Sequence, residues 1–264
     1  ELFFREQRMS RADLWRIMQQ LDGTVVHQGQ KITYLGSAAA EVEAVYLDGC
    51  SMASAYVNQT KTRPIFRSGS ARYTLLIQIS KEMLEYWIGG DLMYERMING
   101  YLTELFRRWE LLKVRHQVSV VLFGRSVDPQ PEHALSNGGP ERSVQDFFHV
   151  VVSDLPSVRS SELLRKLKQA FNDINLPRQV ALAAKGNMLE AIHIAAMDFA
   201  NDSIDPHLSS TGTSVIAITA GAGVFETSHE MLRSTTQLLM GNSIGVDIVS
   251  LSPQPLHPVP LFSY

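Results

Sequence analysis

The chain has 264 residues, 45% of them hydrophobic, which is enough for one sizeable buried core with a smaller appendage. Its formal net charge of -3 supplies no basic field to draw in a phosphate backbone, so nucleic acid is not an expected partner. Cys50 is the only cysteine, which rules out an internal disulfide and fits a reducing compartment, and the longest apolar stretch, Val215 to Phe225, is too short to cross a bilayer and is broken by Thr219, Gly221 and Gly223.

In chain order, Ser10 stands three residues before Asp13, a capping pattern, and Leu14, Ile17, Met18 and Leu21 then recur at helical spacing until Gly23. From Thr24 to Phe66 the pattern changes to short β-prone pieces, Val25-Val26, Ile32 to Leu35, Val45-Tyr46 and Ala55 to Val57, punctuated by Gly29, Gly36 and Asp48-Gly49. This lead-in is expected to be too small to bury a core alone and to pack on a neighbouring domain. Pro64, Gly69 and two serines precede a change of pattern, placing a boundary near Ala71 and dividing the chain into 1–70 and 71–264.

Beyond the boundary, strand and helix alternate in the order that builds a mostly parallel sheet covered on both faces. Tyr73 to Ile79 is the first strand, and Asp91 is expected to cap a helix whose apolar face runs from Met97 through Trp109. Val118 to Phe123 is the second strand, Asp128 to Ser143 a long exposed loop, and Phe147 to Val152 the third strand. Helices from Ser160 through Phe171 and from Asn187 through Phe199 form a crossover to a fourth strand at Thr213 to Thr219. A helix from Ser228 to Met240 and a strand from Val246 to Leu251 complete the alternation. The prolines of Leu256, His257, Pro258, Val259, Pro260, Leu261 and Phe262 forbid a helix or a central strand there, so this stretch is expected to lie extended against its own domain or in a partner. The opening Glu1 and the apolar final residues are those expected of a segment of a longer protein.

An open sheet of this kind carries its functional crevice beyond the carboxyl ends of its strands, here just after Ile79, Phe123 and Thr219. A metal-binding von Willebrand A domain converges hard oxygen ligands there: an Asp-x-Ser-x-Ser turn, a loop Thr and an Asp after the fourth strand. In this sequence the turn reads Gln78-Ile79-Ser80-Lys81-Glu82, the loop offers Gly186, and the fourth strand ends in Ala220-Gly221. Of the expected ligands only Ser80 survives, the leading carboxylate is a neutral amide, and Lys81 adds positive charge, so no metal and no cofactor are expected. The run Thr219 to Gly223 also resembles a phosphate-binding turn, but the third glycine is displaced by Glu226, and the glycines read as easing a tight loop. There is no G-x-S-x-G elbow, and no His-x-x-x-His or Cys/His ligand spacing. Arg125 is a candidate arginine finger for a GTPase, weighed against a solvated surface charge, which is the expected reading.

The segments Ile77 to Met83, Gly90-Asp91-Leu92, Ile98 to Leu102, Val120 to Phe123, Lys185 to Ile192, Gly221 to Glu226, Gly245 to Val249 and Pro255 to Phe262 resemble, in colinear order, the vacuolar membrane-associated Iml family. Its animal counterpart is the DEP-domain-containing subunit of the GATOR complex. The resemblance implies a von Willebrand A-like scaffold domain within an assembly that activates GTP hydrolysis by Rag-type GTPases and restrains TOR signalling when amino acids are scarce. It implies nitrogen permease regulator-like subunits as direct partners, the Rag-type GTPases as partners through the complex, and a catalytic arginine on a partner. The resemblance also implies a place at the cytoplasmic face of the vacuolar or lysosomal membrane, reached peripherally through the complex. Leu256 to Pro260 is the expected partner-binding stretch. A divalent-metal-dependent ligand-binding A domain and a nucleotide-using α/β enzyme are the alternative readings. The sequence departs from the family's usual run at Leu84 to Ile88 and lacks an Arg after Asp205.

Overall fold

The structure is a computed structural model that describes residues 1–5, 11–34, 38–67, 70–87, 89–127, 144–173, 180–201, 211–254, 256 and 260–264. The expected loop from Asp128 to Ser143 lies outside the described residues, as do Ser10, Gly36, Asp205 and Ile88. Chain contacts divide it into two compact units, one built on Glu1–Ala71 and one on Arg72–Ser203 with Thr213–Tyr264.

In the first unit, β1 (Leu2–Arg5) lies between β4 (Ala38–Leu47), antiparallel to it, and β7 (Pro64–Arg67), parallel to it. β3 (Lys31–Tyr34) and β5 (Cys50–Met52) pair with β4, and β2 (Val25–His27) forms a separate ribbon with β6 (Ser54–Tyr56). Helix α1 (Arg11–Leu21) is amphipathic at the expected spacing and contributes Ile17, Met18 and Leu21 to a cluster with Leu2, Phe4, Val26, Val42 and Val45, all buried. The stretch from Thr24 to Phe66 does not close this core alone: β1 and α1, which precede it, supply Leu2, Phe4, Ile17, Met18 and Leu21. Alternating residues of the long strand β4, which the sequence reveals only at Val45-Tyr46, and one helix face close the core of the unit.

The second unit is built on a five-stranded sheet in the order β10, β9, β8, β11, β13. Its strands are β8 (Ser70–Ile79), β9 (Arg115–Val127), β10 (Val144–Pro156), β11 (Thr211–Thr219) and β13 (Gly245–Ser250). β11 and β13 are parallel, and the outer strand β10 runs antiparallel to β9. Burial on both faces explains the near-continuous apolar runs: Leu75, Ile77 and Ile79 of β8 enter one cluster and Leu76 the other. Helices α2 (Met93–Arg96), α3 (Thr103–Leu111) and α4 (Ser160–Asp173) supply the first face, and α5 (Met188–Asn201) and α6 (His229–Gly241) the second.

Two local expectations change. The helix after Asp91 starts one residue later, because Leu92 occupies the cap position and its N–H is accepted by the Glu95 carboxylate at 3.2 Å; a π-helical stretch, Met97–Leu102, then joins α2 to α3. The second and third strands run well past their apolar cores, so that Arg125 is a strand residue. Ser228 does cap α6, accepting from the Met231 N–H at 3.2 Å. Beyond β13, β14 (Phe262–Ser263) pairs in parallel with β12 (Phe225–Glu226), and Leu261 and Phe262 pack on the α5–α6 side of the core.

Candidate functional site: a crevice closed by its own side chains

The strand period decides which residues meet in the crevice. Gln78 follows Leu76 on the α5–α6 face of β8, and Thr219 follows Val215 and Ala217 on the same face of β11, the neighbouring strand. Two polar residues at buried parity thus arrive side by side at the strand ends, with Gln78 only 1% and Thr219 0% exposed. The Thr219 hydroxyl donates to Gln78 Oε1 at 2.6 Å and accepts from the Gly221 N–H at 3.0 Å. Gln78 Nε2 donates to the Ala183 carbonyl at 2.9 Å, and the Ala183 N–H donates to the Glu82 carboxylate at 2.9 Å. The backbone adds Lys81 N–H to Ala181 O at 3.1 Å and Ala181 N–H to Arg125 O at 2.8 Å.

The segment from Val180 through the 3-10 turn Ala183–Lys185 is thereby stitched across the carboxyl ends of β8 and β9. On the other side, Ser250 Oγ donates to Gly221 O and Ser252 Oγ to Ala220 O, both at 2.8 Å.

The positions that would hold a metal are therefore filled with groups that cannot hold one. Gln78 occupies the place of the leading carboxylate with its amide nitrogen used as a donor, and a donor repels a cation. Ser80 is buried and its hydroxyl accepts from the Met83 N–H at 3.4 Å. Glu82 offers the nearest carboxylate and spends it on Ala183, a role the spacing did not suggest. At Gly186 an added Cβ would run into Gln78 Nε2, so the loop Thr of a metal site is sterically incompatible with the Gln78 amide. At Gly221 a Cβ would come within 2.6 Å of the Ala183 Cβ, so the turn after β11 passes close to the Ala183 side chain and leaves no room there for a larger residue. The residues present do not fit a divalent cation. Among the described residues no three His, Cys, Asp or Glu side chains gather as a ligand set.

Arg125 is an ion-paired strand residue, with 26% of its side chain exposed. Its guanidinium makes two hydrogen bonds to Asp146, at 2.7 and 3.0 Å, donates to Lys185 O at 3.3 Å and lies 3.7 Å from Glu190. Hydrogen bonding to Asp146 holds its pKa above the ordinary arginine value. Asn187, just before α5, is fully buried with neither amide atom hydrogen-bonded, although its backbone carbonyl accepts from the Ala191 N–H at 3.0 Å. Of the expected partner-binding stretch, Leu256 and Pro260 are exposed, and His257, Pro258 and Val259 lie outside the described residues. Sequence reasoning missed Thr219 and Ala183 as members of the site. Thr219 carried a usable signal in the parity of its strand, whereas Ala183 acts through its backbone and carried none.

Residues 70–264 match the family description "Vacuolar membrane-associated protein Iml1, vWA-like domain", and residues 1–68 match "IML1 small domain". The chain belongs to the Iml1 family. A protein of Pyricularia oryzae named Vacuolar membrane-associated protein IML1 is 40% identical over 311 residues, covering 100% of this chain and 16% of that protein. Namesakes in Emericella nidulans and Aspergillus oryzae are 38% and 39% identical, each across 100% of this chain and 16% and 17% of their own length. The chain thus spans about a sixth of the length of these relatives. The sheet described above is the von Willebrand A-like domain that the family description names. A likeness of TM-score 0.33 and 13% identity to the crystal structure of the SpRpn10 VWA domain, over 70% of this chain and 89% of that one, is too slight to carry an argument.

Proposed function

We propose that this chain is a docking scaffold that works by contact and performs no chemistry of its own. As part of an Iml1-family subunit it holds nitrogen permease regulator-like subunits in a complex that activates GTP hydrolysis by Rag-type GTPases. That activity lowers TOR signalling at the cytoplasmic face of the vacuolar or lysosomal membrane when amino acids are scarce. The observation that carries the reading is the closed crevice: Gln78, Thr219, Glu82 and the Ala183 peptide satisfy one another where an A domain would hold a metal and its ligand. A fold whose ligand crevice is sealed from within retains only its outer surfaces for recognition. Arg125 is engaged by Asp146, so the arginine that stabilises a transferring phosphoryl group is assigned to a partner subunit. The names of the relatives support the location, and among the described residues no helix is long and apolar enough to cross a membrane.

The test is copurification of the full chain with a nitrogen permease regulator-like subunit, alongside a GTP hydrolysis assay. A stable complex is expected, with no turnover by this chain alone. A folded chain that captures no such subunit, or that hydrolyses GTP unaided, refutes the reading.

A further inference from the structure

At the end of the sheet opposite the closed crevice, two turns hold aliphatic side chains out into solvent. Leu111 and Leu112 close α3 at 66% and 47% exposure, and Val158, in the 3-10 turn Ser157–Arg159 that follows β10, is 78% exposed. The turns are neighbours: Ser157 Oγ accepts from the His116 N–H at 3.1 Å, at the start of β9. They are also fixed. Leu112 N–H donates to Arg108 O at 3.0 Å, Lys113 N–H to Glu110 O at 3.0 Å and Val114 N–H to Trp109 O at 3.2 Å, while Lys113 takes a positive φ of 53°. With its backbone so committed, the turn cannot tuck the leucines inward.

The surrounding charge is opposite in sign to that of the molecule. Residues 104–116 and 157–166 hold seven Lys or Arg against three Asp or Glu, in a chain whose formal net charge is -3. Glu104 is taken up by Arg107 and Arg108 at 2.7 and 2.8 Å, and Glu162 by Lys166 at 3.0 Å with Arg159 at 3.9 Å. Among the described residues Lys113 and Arg115 have no acidic partner, and Glu110, on the preceding turn, is exposed.

From this juxtaposition we propose that the tip formed by Leu111, Leu112 and Val158, rimmed by Lys113, Arg115 and Arg159, binds the surface of an anionic phospholipid membrane. The aliphatic groups enter the interface and the cations meet the headgroups. Charge selects an anionic occupant, and the membrane association in the relatives' names favours a bilayer over an acidic protein. The proposal deepens the scaffold reading and rests on its membrane location.

The experiment is flotation of the full chain with vesicles of phosphatidylcholine alone and of phosphatidylcholine mixed with phosphatidylserine. Binding is expected only to the mixed vesicles and is expected to fade as salt is raised. Leu112→Ser with Val158→Ser, and separately Lys113→Glu with Arg115→Glu, should each weaken it about tenfold or more while the folded circular dichroism spectrum is kept. Absence of binding by the folded chain, or binding that both variants leave unchanged, overturns the proposal. So does capture of polyglutamate by the same residues with vesicles ignored, which would make the surface a protein-binding one. The same variants are tested for copurification with the regulator-like subunit: vesicle binding lost with the complex kept is the expected result, whereas failure of the native chain to copurify defeats only the docking reading.

Discussion

Replacing Gln78 with Ala removes a side chain that joins β8 to both β11 and the Ala183 turn. The Thr219 hydroxyl loses its acceptor and the Ala183 carbonyl its side-chain donor, at a point where Gln78, Thr219 and Ala183 are all 1% exposed or less. Two buried polar groups left short of partners, together with the small void where the amide stood, should lower stability by about 3–5 kcal/mol. In a unit of this size that corresponds to a fall in Tm of roughly 10 °C. Gln78→Glu serves as the matched control: it keeps the volume, but an ionised carboxylate would face the Ala183 carbonyl as a second acceptor, so this variant should lose stability as pH rises above the ordinary glutamate range. The assay is differential scanning calorimetry with the transitions of the two units resolved. A loss below about 1 kcal/mol for Gln78→Ala would show that these hydrogen bonds do not hold the crevice closed.

Gly186→Ala should destabilise by about 2 kcal/mol through the collision of its Cβ with Gln78 Nε2, and much of that loss should vanish in the Gln78→Ala background. Additive losses in urea titrations would argue against the steric link. Millimolar magnesium should leave the Tm of the native chain unchanged, and it should give no stabilisation to Gln78→Asp either, because Gly186 and Ala220 still supply no ligand side chain; a magnesium-dependent rise measured by thermal shift counts against the filled-site reading. His116 stands edge-on to Tyr73 and Trp109, with ring centroids 5.0 and 4.7 Å away, and burial pushes its pKa down from the ordinary 6.5 to about 4. Between those values the unfolded chain takes up a proton that the folded chain does not, so stability falls as pH drops through this window, by about 2 kcal/mol after allowance for solvent screening. His116→Phe should flatten that part of the stability profile in denaturant titrations run from pH 7 to pH 4.

What could be read before any coordinates followed from properties that neighbouring residues share. Burial on both faces of a central strand writes a continuous apolar run, as at Tyr73 to Ile79, and one-sided burial of a helix writes the spacing of Leu14, Ile17, Met18 and Leu21. The acids missing at Gln78, Gly186 and Ala220 were equally plain, because a metal site needs particular side chains at particular spacings. Strand ends were less legible: hydrogen bonding to a neighbour carries β9 on past Phe123, and the polar residues there show no apolar pattern.

Tertiary structure alone decided what took the metal's place. The amide of Gln78 meets a carbonyl 105 residues away and a hydroxyl 141 residues away, and no local pattern records contacts that exist only once the chain has folded. Tertiary structure also decided that Arg125 belongs to Asp146, that the small first unit closes a core of its own, and that the turn of Val158 is tied by Ser157 to the start of β9, just after Leu111 and Leu112. Composition and periodicity govern which residues leave water, whereas the identity of a partner across space depends on the order in which strands are laid side by side.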